Sequence, residues 1–295
     1  MRDKYPQIIA VLKGTDYKIF GLGLATLVLA VTIASLRLKL IIGAQGDIPV
    51  RLPEAVALTF IGYFFNNFLP TAIGGDVIKA YYLSKKTSDK MGSYTAVFVD
   101  RAIGLFTMIF MGFLALLLVG ANVIDESVRR MLYVITAISV LAVVFILNKN
   151  FARIFSVLLL FFKPIEERLK RAYGTVNKYR HNLPIIFKSL IISVMSQILF
   201  FISIGILASS IDSRISTMDI LLRMPIISAM SLLPSINGLG VREGSTVLLF
   251  GPLIGKENAF AVSMLWLLVL LLVSFIGGVI YAVSPQFKVK LNQIA

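Results

Sequence analysis

The chain has 295 residues, no cysteine, one histidine and a formal charge of +14, from 29 Lys+Arg against 15 Asp+Glu. Apolar residues make up 58% and charged ones only 15%, against about 25% charged in a soluble domain, which excludes an ordinary soluble enzyme and a disordered chain alike. Without thiols there are no disulfides, thiolate nucleophiles or thiolate metal sites, and His181 alone cannot build an imidazole cluster, so the remaining class is an integral membrane protein with a basic surface.

A helical span needs about 20 mostly apolar residues to cross a hydrocarbon core of about 30 Å. The first apolar run, 18–36, starts late and ends in Leu36-Arg37-Leu38-Lys39 instead of a small-residue cleavage site, so it reads as a span and not as a cleaved signal. Segment 54–83 is apolar but interrupted at Leu69-Pro70-Thr71-Ala72-Ile73-Gly74-Gly75. Clean spans follow at 92–119 and 131–147. The stretch 151–162 is too short to cross and reads as an interfacial helix leading into a basic linker, 163–184. A further clean span lies at 185–209. Segment 215–254 is interrupted at Leu233-Pro234-Ser235-Ile236-Asn237-Gly238-Leu239-Gly240, and a last span covers 259–283. The pattern predicts an all-α polytopic membrane protein with five clean spans and two broken ones.

Positive charge concentrates on the cytoplasmic side of membrane proteins. Segments 1–18, 79–90, 149–190 and 284–295 together carry +14. On this count a multi-pass protein of the cell membrane with both termini in the cytoplasm is expected. That needs an even number of crossings: five clean spans plus the first broken segment, with the second broken segment re-entrant from the outer side. A second broken segment that crosses fully and returns keeps the same parity. The linker charge suits topology and attraction to anionic lipid. Charge spread along membrane flanks in this way speaks against a nucleic-acid partner.

The two interruptions match. Asn67-Phe68-Leu69-Pro70-Thr71 aligns with Ser231-Leu232-Leu233-Pro234-Ser235, and Gly74 falls on Gly238 without a gap. The offset of 164 residues points to an internal duplication with halves of about 1–150 and 151–295 in a single membrane domain. Freed backbone groups in hydrocarbon cost several kcal/mol each, so such breaks persist where they pack in protein or line a wet cavity. Paired Gly/Pro breaks in corresponding halves point to a midplane site. New helices are expected near Gly75-Asp76 and Gly240-Val241, with N-termini suited to phosphate or carboxylate. Asn66, Asn67 and Asn237 can satisfy freed backbone groups or touch a substrate, and Gln197 is a weaker mid-span candidate.

Asp76, Lys79, Asp100, Arg101, Arg242 and Glu243 lie within or at the edge of apolar segments, where a central charge costs about 2.5–3.5 kcal/mol. Asp76 and Lys79 share a helix face at i,i+3. Lys79 is also long enough to snorkel to the surface. Adjacent residues diverge by about 100° on a helix, so Asp100 and Arg101, and Arg242 and Glu243, are expected to engage different partners, with Arg101 to Glu243 a natural cross-pair. Arg214, Arg223, Asp212 and Asp219 read as outer-loop charges. No zinc-protease, GxxxxGK[ST], GxSxG or Asp-rich Mg²⁺ motif occurs, so neither a metal nor a cofactor is expected.

The stretches FFNNFLPTAIGGDVIKAYYLSKKT, VFVDRAIGL and LLPSINGLGVREGSTVLL, in that order, resemble the flippase-like membrane family that includes the transmembrane domain of lysylphosphatidylglycerol synthase (the multiple peptide resistance factor). The resemblance spans essentially the whole chain. It implies lipid translocation between leaflets: an anionic or aminoacylated phospholipid, or a polyprenyl-phosphate or glycan-linked lipid. It carries Asn67, Gly74, Gly75, Asp76 and Lys79 from the first motif, with Pro70 as its helix break. The second gives Asp100 and Arg101, where Glu-Arg is more usual. The third gives Gly238, Gly240, Arg242 and Glu243, beside Asn237, with Pro234 as its break. The synthase carries a soluble transferase domain after its membrane part and this chain ends at Ala295, so a translocator and not an enzyme is expected, and lysylated lipid is a less secure substrate. The partner is then a membrane lipid, with one of the acids a candidate proton carrier, and an oligomer is compatible with the sequence. The alternatives are a small-solute secondary transporter and a membrane partner of a glycosyltransferase.

Overall fold

The computed structural model describes residues 5–46, 49–67, 74–87, 89–120, 125–147, 179, 182–233 and 238–287. Pro70, Pro234, Asn237, His181, the interfacial stretch 151–162 and most of the linker 163–184 lie outside the described residues. The described elements are helices: α1 (Tyr5–Lys13), α2 (Tyr17–Gly43), α3 (Leu52–Asn66), α4 (Gly74–Ser84), α5 (Lys90–Val119), α6 (Glu126–Leu147), α7 (Leu183–Ser209), α8 (Thr217–Met230), α9 (Val241–Ile254) and α10 (Lys256–Val283), then a 3₁₀ turn at Pro285–Phe287.

Five helices (α2, α5, α6, α7 and α10) are long and apolar enough to cross a membrane, and they correspond to the five clean spans of the sequence. Their starts are chemically marked. The Asp16 carboxylate accepts from Lys18 N and Ile19 N at 2.8 and 3.2 Å, and Asp89 accepts from Gly92 N at 2.9 Å. Proline opens α3 and α7, where no intrahelical N–H is lost. Both broken segments are pairs of short helices, of 15 and 11 residues (α3, α4) and of 14 and 14 (α8, α9). None reaches the length of a span.

The order long, short, short, long therefore occurs twice, with 27, 15, 11 and 30 residues in α2–α5 and 27, 14, 14 and 28 in α7–α10. Helices α2 and α7 pack antiparallel along most of their length. Ser203 Oγ donates to Gly23 O at 2.8 Å and Ser196 Oγ to Ala30 O at 2.9 Å, the small-residue contacts that hold helices together in lipid. The two sets consequently run in opposite directions.

The bundle has two ends. At the first, here the linker end, the last turn of α2 meets Tyr179, whose hydroxyl donates to Ile41 O at 2.9 Å and accepts from Gln45. The same end holds an ion pair between Glu54, at the start of α3, and Lys86, just after α4. Tyr82 Oη donates to Phe287 O there at 2.5 Å. At the opposite, amino end, Asp16 N donates to Ser210 O at 2.8 Å. Arg223 pairs with Asp219 and, at 3.2 Å, with Asp125 before α6; both Asp219 and Arg223 lie within α8 and Arg223 is buried, so neither is the outer-loop charge expected from the sequence.

These contacts revise the expectation for the first broken segment. The first broken segment does not run from one end of the bundle to the other: α3 and α4 form a hairpin whose outer ends meet at the linker end through Glu54 and Lys86. The second hairpin, α8–α9, opens at the amino end, where α10 begins. Among the described residues α2 thus starts at the opposite end of the bundle from Phe287.

The hairpin arms close because glycine lets them. A Cβ on Gly75 would lie 1.9 Å from Gly62 O, so the α3–α4 crossing is backbone on backbone. Likewise a Cβ on Gly277 would lie 2.0 Å from Phe60 O, which seats α3 on α10. Apolar side chains on the outer faces, such as Leu118, Leu141, Phe187 and Phe275, are exposed as a lipid-facing surface requires.

Candidate functional site

The tips of both hairpins meet around a cavity of about 310 Å³ lined from every helix except α1 and α6. Arg101 lies 11 residues into α5 from the linker end and Trp266 lies 10 into α10 from the amino end. At 1.5 Å per residue both are about 15 Å deep, so the cavity sits near the middle of the bundle.

The first hairpin supplies one ion cluster. Helix α4 starts at Gly74, at the site expected from the first break, and Gly75 N donates to Asn66 Oδ1 at 2.7 Å, which closes a backbone group freed there. Asp76 then stands in the first turn of α4, where the helix dipole favours a carboxylate. Its Oδ1 is 2.6 Å from Lys79 Nζ and its Oδ2 3.0 Å from Arg101 Nη1. The Lys79 side chain is only 12% exposed and so does not snorkel out, whereas Arg101 is 31% exposed.

Beside it lies a second pair. Asp100 binds Arg37 at two points, Oδ1 to Nε at 2.7 Å and Oδ2 to Nη2 at 3.2 Å, and Arg37 Nη1 donates to Ser193 Oγ at 2.8 Å. Gly104 makes room for the guanidinium, since a Cβ there would lie 2.8 Å from Arg37 Nη1.

The second hairpin contributes Arg242 and Glu243. Gly238 and Gly240, with φ of 79° and 81°, take the chain through the left-handed region into α9, which starts at Val241 as expected. Glu243 Oε2 accepts from Gly240 N at 2.5 Å, which caps the helix. Its Oε1 lies 2.8 Å from Arg242 Nη2 and 3.1 Å from Nε. The Arg242 guanidinium carbon sits 5.2 Å from the centre of the Trp266 ring, within cation–π range.

The structure thus brings Asp76, Lys79, Asp100, Arg101 and Arg242 to one cavity, while Glu243 is not among its lining residues and reaches it through Arg242. Asp100 and Arg101 take different partners, as the helix geometry requires. The Arg101–Glu243 cross-pair is not formed, because Arg101 turns to Asp76 and Arg242 folds back on its own neighbour. Asn67 Nδ2 donates to Ser274 Oγ of α10 at 2.6 Å, and Asn67 is not among the residues lining the cavity. Gln197 lines the cavity. Sequence reasoning missed Arg37, taking it as the end of the first apolar run. The run in fact continues through Leu38, Leu40, Ile41 and Ile42 to Gly43, which places Arg37 inside the helix. Trp266 and Ser196 were missed as well; neither is a charge or a break, so neither carried a signal.

Comparison with known families places this geometry. The lysylphosphatidylglycerol synthase TM region matches residues 6–278. The chain belongs to that family. No curated protein and no solved structure matches it. Within the family match lie both hairpins and all six charged residues expected from the sequence, so cavity and family coincide on the same part of the chain.

Proposed function

We propose that this member of the lysylphosphatidylglycerol synthase TM family moves a phospholipid or polyprenyl-phosphate lipid between leaflets, as a flippase or scramblase without enzyme activity of its own. The observation that carries the reading is the central cavity, where Arg37, Lys79, Arg101 and Arg242 line one space between two hairpin tips. Four cations inside a bundle with an apolar outer face suit a polar headgroup whose chains remain in lipid. The family name, which is that of a lipid synthase's membrane part, points to the same substrate class.

The two sets α2–α5 and α7–α10 read as pseudo-repeat halves of opposite orientation, with re-entrant hairpins that approach the cavity from the two membrane faces. Charge supports an orientation. Segments 37–54, 79–90, 149–190 and 284–295, which in sequence adjoin helix termini at the linker end, carry +13. Segments 1–18, 119–131, 210–223 and 256–258 at the amino end carry +2. The linker end then faces the cytoplasm and α1 the outside.

The test is translocation in liposomes that hold the purified chain, with labelled phosphatidylglycerol and a short polyprenyl phosphate in separate preparations. Label accessible from outside should rise above half, and fall back in Arg101→Ala and Glu243→Ala. If folded protein moves no lipid, the reading fails; ion-driven solute uptake would then assign the cavity to a small-solute transporter.

A further inference from the structure

One ion pair of the cavity is held by few contacts. Arg37 of α2 and Asp100 of α5 bind each other at two points, and the pair's further hydrogen bond among the described residues runs from Arg37 Nη1 to Ser193 Oγ of α7. Both residues line the cavity. We propose, on the lipid-carrier reading, that Asp100 is a proton-binding site: a headgroup phosphate draws Arg37 away, Asp100 takes a proton that enters from the linker end, and lipid and proton cross together.

A phosphate offers Arg37 the same paired oxygens as the carboxylate it leaves. Asp100 is then a carboxylate 9% exposed with no cation bound to it. Such a charge is costly in a low-dielectric interior and is neutralised by a proton. The neighbouring charges bind elsewhere. Arg101, next on α5, and Lys79 of α4 both meet Asp76, at 3.0 and 2.6 Å, and Arg242 of α9 lies 2.8 Å from Glu243. Phosphate and proton bring opposite charges, so the loaded site has the net charge it had before. The proton goes onto an Asp100 oxygen. When the lipid leaves and Arg37 returns, the proton is released through the cavity toward the amino end.

A buried polar seam supplies the entry. Helices α2, α5 and α7 pack against one another. Ser93 of α5 and Ser189 of α7 are fully buried, and their hydroxyls have no hydrogen-bond partner among the described residues. Ser93 lies two turns before Asp100 on the same face of α5, about 10 Å nearer the linker end, and Ser189 one turn before Ser193 on the face of α7 that meets Arg37. Above them Gln45 Oε1 is buried and without a partner among the described residues, while Gln45 Nε2 donates to the Tyr179 hydroxyl. Burial pushes the Tyr179 phenol up, and the Asp100 charge adds to the rise, so the hydroxyl keeps its proton at neutral pH. An unsatisfied buried hydroxyl costs about 1–3 kcal/mol, and water is its usual partner in a protein interior. Hydroxyls and water at these positions form a path for protons that ends at Asp100, on the far side of the pair from the headgroup.

The experiment uses the full chain in phosphatidylcholine vesicles with traces of acyl-labelled phosphatidylglycerol and a pH gradient of about one unit, with protein-free vesicles as blank. One proton per lipid lets that gradient hold up to about a tenfold excess of label in the leaflet on the alkaline side. Ser93→Ala/Ser189→Ala should slow the approach to that ratio several-fold, and a wild-type rate overturns the path. Label that settles equally in both leaflets overturns the proton site and leaves lipid translocation standing. If no lipid moves, translocation is overturned, and a pH indicator in weakly buffered detergent decides the site: uptake of about one proton per phosphatidylglycerol bound upholds it, and no uptake overturns it. Asp100→Asn keeps Arg37 and removes the proton acceptor, so it should show no pH bias and no uptake. Where it fails to fold, Arg37→Met/Asp100→Leu takes its place in the detergent titration. Proton uptake by either variant overturns the assignment to Asp100.

Discussion

Asp100→Asn isolates a buried charge with a defined partner. The wild-type carboxylate meets Arg37 at 2.7 and 3.2 Å, and both side chains are 9% exposed. The amide keeps the shape of the group and removes its charge, which leaves the Arg37 guanidinium buried with Ser193 as its remaining contact described here, at 2.8 Å. Breaking a buried pair in this way costs about 3–5 kcal/mol. That is a large share of the roughly 5–15 kcal/mol that holds a typical domain together. Replacing both partners with apolar groups, in Arg37→Met/Asp100→Leu, avoids the orphaned charge and should recover most of the loss. Gly104→Ala should lie between wild type and Asp100→Asn, because a Cβ 2.8 Å from Arg37 Nη1 makes the guanidinium shift, at about 1–3 kcal/mol. The assay is thermal unfolding of the detergent-purified chain, followed by helical circular dichroism. If Asp100→Asn unfolds at the wild-type temperature, or the apolar double variant falls below the single one, the pair is not holding α2 to α5 and the reasoning is wrong.

Gly75→Val should prevent closure of the first hairpin, since even a methyl would lie 1.9 Å from Gly62 O; a monodisperse gel-filtration peak with full translocation would contradict that contact. The cysteine-free chain is ready for accessibility mapping. Tyr17→Cys and Val283→Cys, both highly exposed, should react with an impermeant maleimide from opposite sides of sealed membranes, and labelling from one side would refute the odd number of crossings. Glu243→Gln should weaken the charge balance yet keep an acceptor for Gly240 N. Glu243→Ala should lose a further 0.5–2 kcal/mol or so of thermal stability through the helix cap, and equal losses would show that the cap is idle. Lys86→Ala should cost less than about 1 kcal/mol by the same measurement, because its ion pair with Glu54 is partly exposed.

Much of this molecule was legible in the chain because lipid makes the rules strict. Long apolar runs had to be helices, and the starts of α4 and α9 followed from glycine and the acids just beyond it. Parity was the weak step. Six crossings and five crossings with two hairpins distribute nearly the same charge between the faces, because segment 1–18 carries only +2 against the +13 grouped at the linker end. What decides between them is whether Lys86 returns to Glu54, a contact between residues 32 positions apart that no local pattern encodes. The pairing of the buried charges was hidden for a similar reason. Helical spacing fixes the direction of Cβ, and on that basis Asp100 and Arg101 were correctly separated. It does not fix where a long side chain ends, so Arg242 could leave its own face and return to Glu243. Arg37 shows the same limit from the other side. A charge inside an apolar run looks like the end of a span until its counter-charge, 63 residues away on α5, is in view. In a bilayer the acids and bases of one helix are therefore best read as half of an equation whose other half lies on another helix, as Arg37 of α2 and Asp100 of α5 show.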